Sequence, residues 1–287
     1  MGIRDKISKL LRRRREHRHA PLVAAGAAEM MQTLATQQRL DEVRTLRAKT
    51  NPLLAHGYKV FSQNDEDGII HEICRRLNVD EAGSFLEIGV GDGSENNTLN
   101  LLVKGWKGVW LGGEPLSYVN LMDRLAFEQC WMTRDNVADI IQRTLPRLGI
   151  RALDLMSIDI DGNDWHLAQR VLESGIRPSV MVVEYNGTFD PYTEWVMPYD
   201  DDHRWDKSAY FGASLASFHR LLNAHGYFLA ACNSTGVNAF FVKEEFRTMF
   251  PELPDDWHSI FMPANYHPYP YLGHPVTQRL IGALIGK

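Results

Sequence analysis

A glycine-spaced loop follows one apolar run of this sequence and could bring the backbone close to a ligand. The stretch from Ser84 to Ser94 reads Ser-Phe-Leu-Glu-Ile-Gly-Val-Gly-Asp-Gly-Ser. Its apolar residues predict a buried strand, and a helix is predicted over residues 96–104. The order strand, loop, helix places a binding crevice at the carboxyl end of the first strand of an open α/β sheet; the alternative is a tight turn with exposed acids. The glycines that would permit both the sharp turn and the close approach are Gly89, Gly91 and Gly93.

Two acidic residues beside this loop indicate which class of ligand it could bind. Glu87 stands just before the first glycine, where a carboxylate would repel a pyrophosphate and suit a cationic amino-acid group. Glu114 ends the next predicted strand, residues 108–113, where a ribose-binding acid belongs. Ser94 occupies the place of the third glycine of a dinucleotide-binding fold, which disfavours NAD. An NAD-linked sugar oxidoreductase remains the alternative enzyme class.

A second group of oxygen-bearing side chains ends two later strands, predicted over residues 153–160 and 180–183. Asp159 and Asp161 are two residues apart, as are Glu184 and Asn186, so each pair shares a face if its strand persists. Neighbouring parallel strands would bring all four together at one edge. Such hard oxygen ligands suit Mg²⁺ or Mn²⁺. We predict Asp161, Glu184 and Asn186 as metal ligands.

Two other interpretations of these acids stay open. Asp161 or Glu184 can act as a plain base that takes a proton from a hydroxyl group. Alternatively, Asp161-Gly162 and Asn186-Gly187 are only tight turns. His166 and His203 are reserve candidates for the base.

The order of predicted elements indicates an α/β fold. A βα alternation repeats about five times, which predicts a doubly wound, mostly parallel sheet. A helix is predicted over residues 116–127 and a third strand over residues 130–133. Segments 227–231 and 237–242 predict a terminal antiparallel strand pair. Residues 188–212 form a long aromatic, acidic segment, which is typical either of a functional lid or of a disordered loop.

Both ends of the chain differ from this central part. We predict an N-terminal helical extension (1–50), a central domain (51–243) and a C-terminal surface-wrapping extension (244–287). Residues 1–19 carry eight Lys or Arg and only two acids, so this segment either lies on an anionic membrane surface or is a solvated tail. The helix predicted over residues 28–49 either pairs with a second copy of the chain or packs on the body.

Composition excludes several function classes for the 287-residue chain. A net charge of −5 does not suit a nucleic-acid binder. Three isolated cysteines favour a reducing compartment. No apolar run approaches the roughly 18 residues of a membrane span, and residues 22–28 make a poor signal segment. The expected location is the cytoplasm, with peripheral contact at the inner face of the membrane if residues 1–19 bind lipid.

These motifs in this order resemble class I S-adenosylmethionine-dependent methyltransferases of the FkbM-like family. The resemblance covers roughly residues 58–243 and rests on Glu87-Ile-Gly-Val-Gly-Asp-Gly, Glu114-Pro115, Ser-Ile-Asp-Ile-Asp-Gly-Asn-Asp and the terminal strand pair. It departs at Asp161 and Asp164, where that family usually carries Glu. It implies a Rossmann-like methyltransferase fold with these cofactor-binding residues: Glu87, Gly89, Gly91 and Gly93 for the methionine part, Glu114 for the ribose, Asp135 and Asn136 for the adenine, and Asp159 for the amino group or sulfonium.

The resemblance also implies the reaction. FkbM-like enzymes suggest O-methylation of a sugar in a surface polysaccharide or glycolipid, or of a secondary metabolite. Asp159, Asp161 and Glu184 would then be the catalytic residues, with or without a metal. The aromatic lid residues either stack on sugar rings or pack within the lid; they are Phe189, Tyr192, Trp195, Trp205 and Tyr210. A non-catalytic, methyltransferase-like binding module is the second alternative.

Overall fold

A seven-stranded sheet forms the centre of the computed structural model, which describes residues 31, 35, 38, 39, 41–117 and 123–265. The strands are β1 (Ser84–Ile88), β2 (Lys107–Gly112), β3 (Leu125–Gln129), β4 (Leu155–Ile158), β5 (Val180–Glu184), β6 (Tyr227–Cys232) and β7 (Asn238–Lys243). Their spatial order is β3-β2-β1-β4-β5-β7-β6. Strands β1 to β5 run parallel, whereas β7 lies antiparallel between β5 and β6. The predicted mostly parallel sheet with a terminal antiparallel pair is confirmed.

The described residues form six helices beside the sheet. They are α1 (residues 41–47), α2 (Glu66–Arg76), α3 (Leu99–Val103), α4 (Val137–Thr144), α5 (Asp164–Glu173) and α6 (Leu215–Ala224), with short 3₁₀ segments at Pro52–His56, Leu145–Leu148, Glu244–Met249 and Trp257–Ile260. Of these, α3, α4 and α5 connect consecutive parallel strands. Every residue of β1, β4 and β5 is buried. Strands covered on both faces require such near-continuous apolar runs, which is why the sequence pattern revealed them.

The third strand differs from the sequence prediction. It spans Leu125–Gln129, not residues 130–133, and residues 123–127 are not helical. Residues 118–122 lie outside the described part. Strand β3 pairs in parallel with Gly108–Gly112 at the edge of the sheet, and most of its residues are only partly buried. An edge strand has a mixed polar and apolar pattern, so its partner, and not its own sequence, determines its conformation.

The predictions for the two extensions fall largely on residues outside the described part. This holds for the basic segment 1–19, for most of the helix at 28–49 and for residues 266–287. Within α1, Val43 packs against the main core. Phe250 and Met262 also belong to that core, and the Ala264 amide donates to the Gly187 carbonyl at 2.9 Å. The C-terminal segment therefore returns to the edge of the sheet where β5 ends.

The described residues include no helix that is both long and apolar enough to span a bilayer.

Candidate functional site

The glycine loop runs from β1 toward α3 and contacts Asp159 at the end of β4. Gly89 has φ +96°, and a Cβ there would lie 1.6 Å from the Asp159 carbonyl oxygen. Only glycine allows the backbone after β1 to approach the end of β4 so closely. Gly91 has φ +51°, and a Cβ there would meet no atom of the described residues within 4 Å. The loop thus lies against Asp159 at Gly89 and leaves the backbone at Gly91 uncovered by the described residues.

Glu87 is buried and holds the connection between the loop and α3. Its carboxylate accepts the backbone N–H groups of Asn97 at 2.8 Å and Thr98 at 2.9 Å, and the Thr98 hydroxyl at 2.5 Å. Burial raises the pKa of Glu87 to about 7, and these hydrogen bonds oppose the rise. The acid therefore shapes the loop through the chain's own backbone. Its predicted contact with a cofactor stays a prediction.

The predicted ribose and adenine residues have different surroundings. Glu114, two residues past β2, and Asp135, before α4, are exposed at the carboxyl ends of β2 and β3. The Asn136 side chain instead forms hydrogen bonds to the backbone of the preceding residues. Its Oδ1 accepts the Thr133 N–H at 2.9 Å, and its Nδ2 donates to the Trp131 carbonyl at 2.9 Å. Of the predicted adenine pair, only Asp135 keeps an exposed side chain.

Trp131 is a residue of this crevice that the sequence reasoning missed. Its side chain is 43% exposed and lies beside Gly113, where a Cβ would be 3.2 Å from the indole ring. The Arg204 guanidinium stands 3.7 Å from the indole centroid, and the indole N–H donates to the Asp201 carbonyl at 2.8 Å. The lid therefore meets the β3 edge at Trp131. The sequence feature that could have indicated Trp131 is its position as an aromatic residue two residues past a strand.

Three carboxylates meet at the neighbouring edge of the sheet. Oxygens of Asp159, Asp161 and Glu184 all lie within 4.8 Å of one another. Pairing of Ile158 with Val183 places Asp159 alongside Glu184. The strand ends at Ile158, and Asp161 has φ +55°. A turn, and not strand alternation, therefore brings Asp161 back to the group, so the predicted convergence occurs for a different reason.

Burial and neighbouring acids destabilise the charged forms of Asp159 and Glu184, and burial does so for Asp161. Burial, followed by the charges of Asp161 and Asp164, raises the pKa of Asp159 well above its usual value. Burial and the Asp159 charge do the same to the pKa of Glu184. Burial raises the pKa of Asp161, and His203 opposes that rise. Glu184 Oε2 is buried with no hydrogen-bond partner among the described residues. Such a group either retains a proton near neutral pH or takes up a cation.

Asn186, predicted as a metal ligand, holds the lid through its side-chain amide, and its role as a ligand stays a prediction. Its Nδ2 donates to the carbonyls of Ala209 at 2.8 Å and Phe211 at 3.1 Å, and its Oδ1 accepts the Thr188 N–H at 3.2 Å. The fully buried amide thus fastens both ends of the lid. The carboxylate group beside it consists of Asp159, Asp161 and Glu184.

The turn that carries Asp161 is fixed by Asp164. Its carboxylate accepts the N–H groups of Ile160 at 2.7 Å and Gly162 at 2.8 Å, and burial raises its pKa to about 7. The lid covers this turn. His203 Nε2 is 3.1 Å from the Asp161 carbonyl oxygen, and a Cβ on Gly162 would lie 2.2 Å from the His203 ring.

The two reserve bases therefore have different positions. His203 stands at the carboxylate cluster. His166 Nε2 contacts the Met197 carbonyl at 2.8 Å, and its ring packs against Trp165 and Tyr199. His166 is thus a tether of the lid and not part of the cluster.

Most of the lid aromatic residues pack within the lid. Phe189, Trp195 and Tyr210 are buried together, with ring centroids 4.9 Å apart for Phe189–Trp195 and 5.7 Å for Trp195–Tyr210. Trp205 packs edge-on against Phe211 at 6.4 Å. Tyr192 differs, because 73% of it is exposed. The sequence predicts that these aromatic residues either stack on sugar rings or pack within the lid, and the buried ones pack within the lid.

Comparisons with known proteins give structural likeness only. No protein-family model matches the sequence, and no curated protein does either. Solved structures that resemble it include MycE, a methyltransferase from the mycinamycin biosynthetic pathway in complex with Mg, SAH and mycinamycin VI (14% identity, TM-score 0.31). Others are an SAH-bound methyltransferase of calicheamicin biosynthesis (15%, 0.34) and human N-acetylserotonin methyltransferase with SAM (11%, 0.35).

Coverage is partial in all three. The matches span 60%, 61% and 72% of this chain and 45%, 54% and 66% of the respective structures. The chain thus spans less than half the length of MycE. At these TM-scores the likeness carries no inference about function.

Proposed function

We propose that this chain is an S-adenosylmethionine-dependent methyltransferase that O-methylates a hydroxyl group of a sugar or a secondary metabolite. One observation carries the proposal: the open glycine loop after β1 touches the end of β4, where three carboxylates gather and no Lys or Arg among the described residues forms an ion pair with them. The Gly89–Asp159 contact makes loop and cluster one crevice. A cationic methyl donor and a hydroxyl acceptor are reactants that such a crevice can hold together.

The residues of the crevice fit S-adenosylmethionine as the methyl donor. When bound, S-adenosylmethionine supplies a methyl group from a positively charged sulfonium. The backbone at Gly91 has the open space that a ligand needs for close approach. Glu114 is exposed at the next strand end, where its carboxylate would accept hydrogen bonds from ribose hydroxyls, and Asp135 would lie toward the adenine. Asp159 would hold the methionine amino group, since a buried carboxylate favours a neighbouring cation.

The carboxylate cluster supports the handling of the acceptor. Asp161 or Glu184 can take the proton of a hydroxyl group, and His203 is within reach of the same turn. The three carboxylates also fit Mg²⁺ or Mn²⁺, because they are hard oxygen donors close enough to share one ion, and Glu184 Oε2 lacks a partner among the described residues. Such an ion would lower the pKa of a bound hydroxyl group.

Calorimetry tests the donor site. The full chain is titrated separately with S-adenosylhomocysteine and with NAD. We expect only the former to bind, and Glu114→Ala to weaken it about tenfold to a hundredfold, because charge-assisted hydrogen bonds are worth about 1.5–3 kcal/mol. Glu81→Ala, which removes an exposed acid away from the crevice, is the matched control.

The other outcomes contradict the proposal. Binding of NAD alone would favour the sugar oxidoreductase, and binding of neither would favour a non-catalytic module. Equal affinities of the Glu114→Ala and Glu81→Ala variants would show that Glu114 does not hold the ribose.

A further inference from the structure

A second concave surface lies on the outer side of α6, away from the carboxylate cluster. It encloses about 490 Å³ between that helix, the first part of the lid and the 3₁₀ segment Trp257–Ile260. This volume lies within the range of about 300–1,000 Å³ that is usual for small-molecule sites. The residues that line it include Tyr192 and Glu194 from the lid and Arg220 and Asn223 from α6. None of the three clustered carboxylates is among its lining residues.

Four stacked rings form one wall of this groove. His219 stacks on Trp257 at 4.0 Å, Trp257 on His258 at 3.9 Å, and His258 on Tyr192 at 4.5 Å between ring centroids. Tyr192 ends the stack and is 73% exposed. The stack holds the tyrosine ring in place while leaving a face of it to solvent. An immobilised, exposed aromatic face is a binding platform that costs little side-chain entropy when it is used.

The polar side chains of the groove are directional and electrically balanced. Arg220 and Glu194 form an ion pair at 2.8 Å, and Asn223 adds an amide with both donor and acceptor atoms. The charges of the pair cancel, so the groove offers several hydrogen-bond donors and acceptors without a net charge of its own.

The lining distinguishes among classes of ligand. Among the described residues that form it, none is Leu, Ile, Val, Met or Phe, whereas grooves for amphipathic helices present such side chains. A polyanion would require unpaired basic residues, yet Arg220 is paired. Aromatic rings combined with hydrogen-bonding side chains match a neutral sugar, whose C–H face packs on a ring while its hydroxyl groups bind the polar atoms.

We propose that this groove binds a neutral sugar residue of a polymeric acceptor, apart from the residue that is methylated. The inference rests on the proposed function in taking the acceptor to be a glycan. Tyr192 and Glu194 belong to the same lid as His203, which covers the Asp161 turn. A glycan long enough to reach both sites would contact this segment twice, and the second contact would raise the effective concentration of the reacting sugar.

Saturation-transfer NMR on the full chain tests the groove. The probes are neutral hexasaccharides of glucose, mannose, galactose and rhamnose, each titrated without any methyl donor. We expect at least one to receive saturation on its ring C–H protons. Tyr192→Ala should weaken its binding about three- to tenfold, the range for loss of one aromatic contact, whereas Tyr192→Phe should retain it. The double variant Glu194→Ala/Arg220→Ala should also weaken it, at unchanged net charge.

Two results would overturn the groove proposal: no saturation transfer to any of the four hexasaccharides, or equal binding by the wild type and both disruptive variants. Thermal melting shows whether each variant is folded, which is expected because Tyr192 and the ion pair are exposed. The outcome is separable from that of the methyltransferase proposal. Loss of S-adenosylhomocysteine binding concerns the crevice alone, and saccharide binding that depends on Tyr192 concerns the groove alone.

Discussion

Replacing Glu87 by glutamine should change how the stability of the protein depends on pH. The side chain is buried and its carboxylate accepts three hydrogen bonds from residues 97 and 98. Its pKa rises from 4.5 to about 7 on folding. Between these two values the native state keeps a proton that the unfolded chain releases. The free energy of unfolding of the wild type therefore falls as pH rises through this range.

The size of the effect follows from the shift. A rise from 4.5 to about 7 corresponds to about 3 kcal/mol of stability lost between roughly pH 4.5 and pH 7.5. Glutamine cannot titrate, so this loss is absent from the variant. The amide nitrogen of glutamine, however, faces backbone donors, and one unpaired buried N–H costs about 1–3 kcal/mol. Glu87→Gln should thus be less stable than the wild type at about pH 5, and the difference should shrink or reverse near pH 8.

Urea denaturation at several pH values measures both effects, the pH-dependent loss of stability in the wild type and the cost of the unpaired amide in the variant. The quantity of interest is the difference in unfolding free energy between wild type and variant at each pH. The pKa of Asp164 is also raised in the folded protein, but Asp164 is present in both proteins, so its contribution cancels in the difference. Glu81→Gln, at an exposed position, should show no pH-dependent difference. A difference for Glu87→Gln that stays constant from about pH 5 to pH 8 would refute the reasoning, since it would mean that Glu87 is ionised in the native state throughout.

Three further predictions concern the crevice. Gly89→Ala should cost about 3 kcal/mol or more of stability because of its backbone clash, whereas Gly91→Ala should cost about 1 kcal/mol for its positive φ alone; urea denaturation compares them. Asp161→Asn should weaken Mn²⁺ binding by at least about tenfold in calorimetry, since one charged oxygen donor is lost, and an unchanged affinity would exclude this metal site. Asn186→Ala leaves two buried carbonyls without their donor and should cost about 1–3 kcal/mol, with faster hydrogen exchange confined to residues 188–212.

The sequence determined the sheet and the location of the site. Runs such as residues 85–88 and 180–183 indicated strands covered on both faces, because nearly all of their residues are apolar. Glycines after the first run required a turn that no other residue type could make against a neighbouring strand. Acids directly after strands had to gather at the carboxyl edge, because parallel strands end there together.

Only the tertiary structure shows which polar side chains are available to bind a ligand and which are engaged by the chain itself. Glu87 and Asn186 are as polar as Glu114 and Asp159, yet the first two are used by the chain's own backbone. Local sequence does not show this, because their partners are amides and carbonyls that any residue carries. The position of Asp161 likewise depends on a turn held by Asp164, and the groove beside Tyr192 depends on rings from three separate segments. Contacts between distant segments have no local pattern, and only the folded chain brings them together.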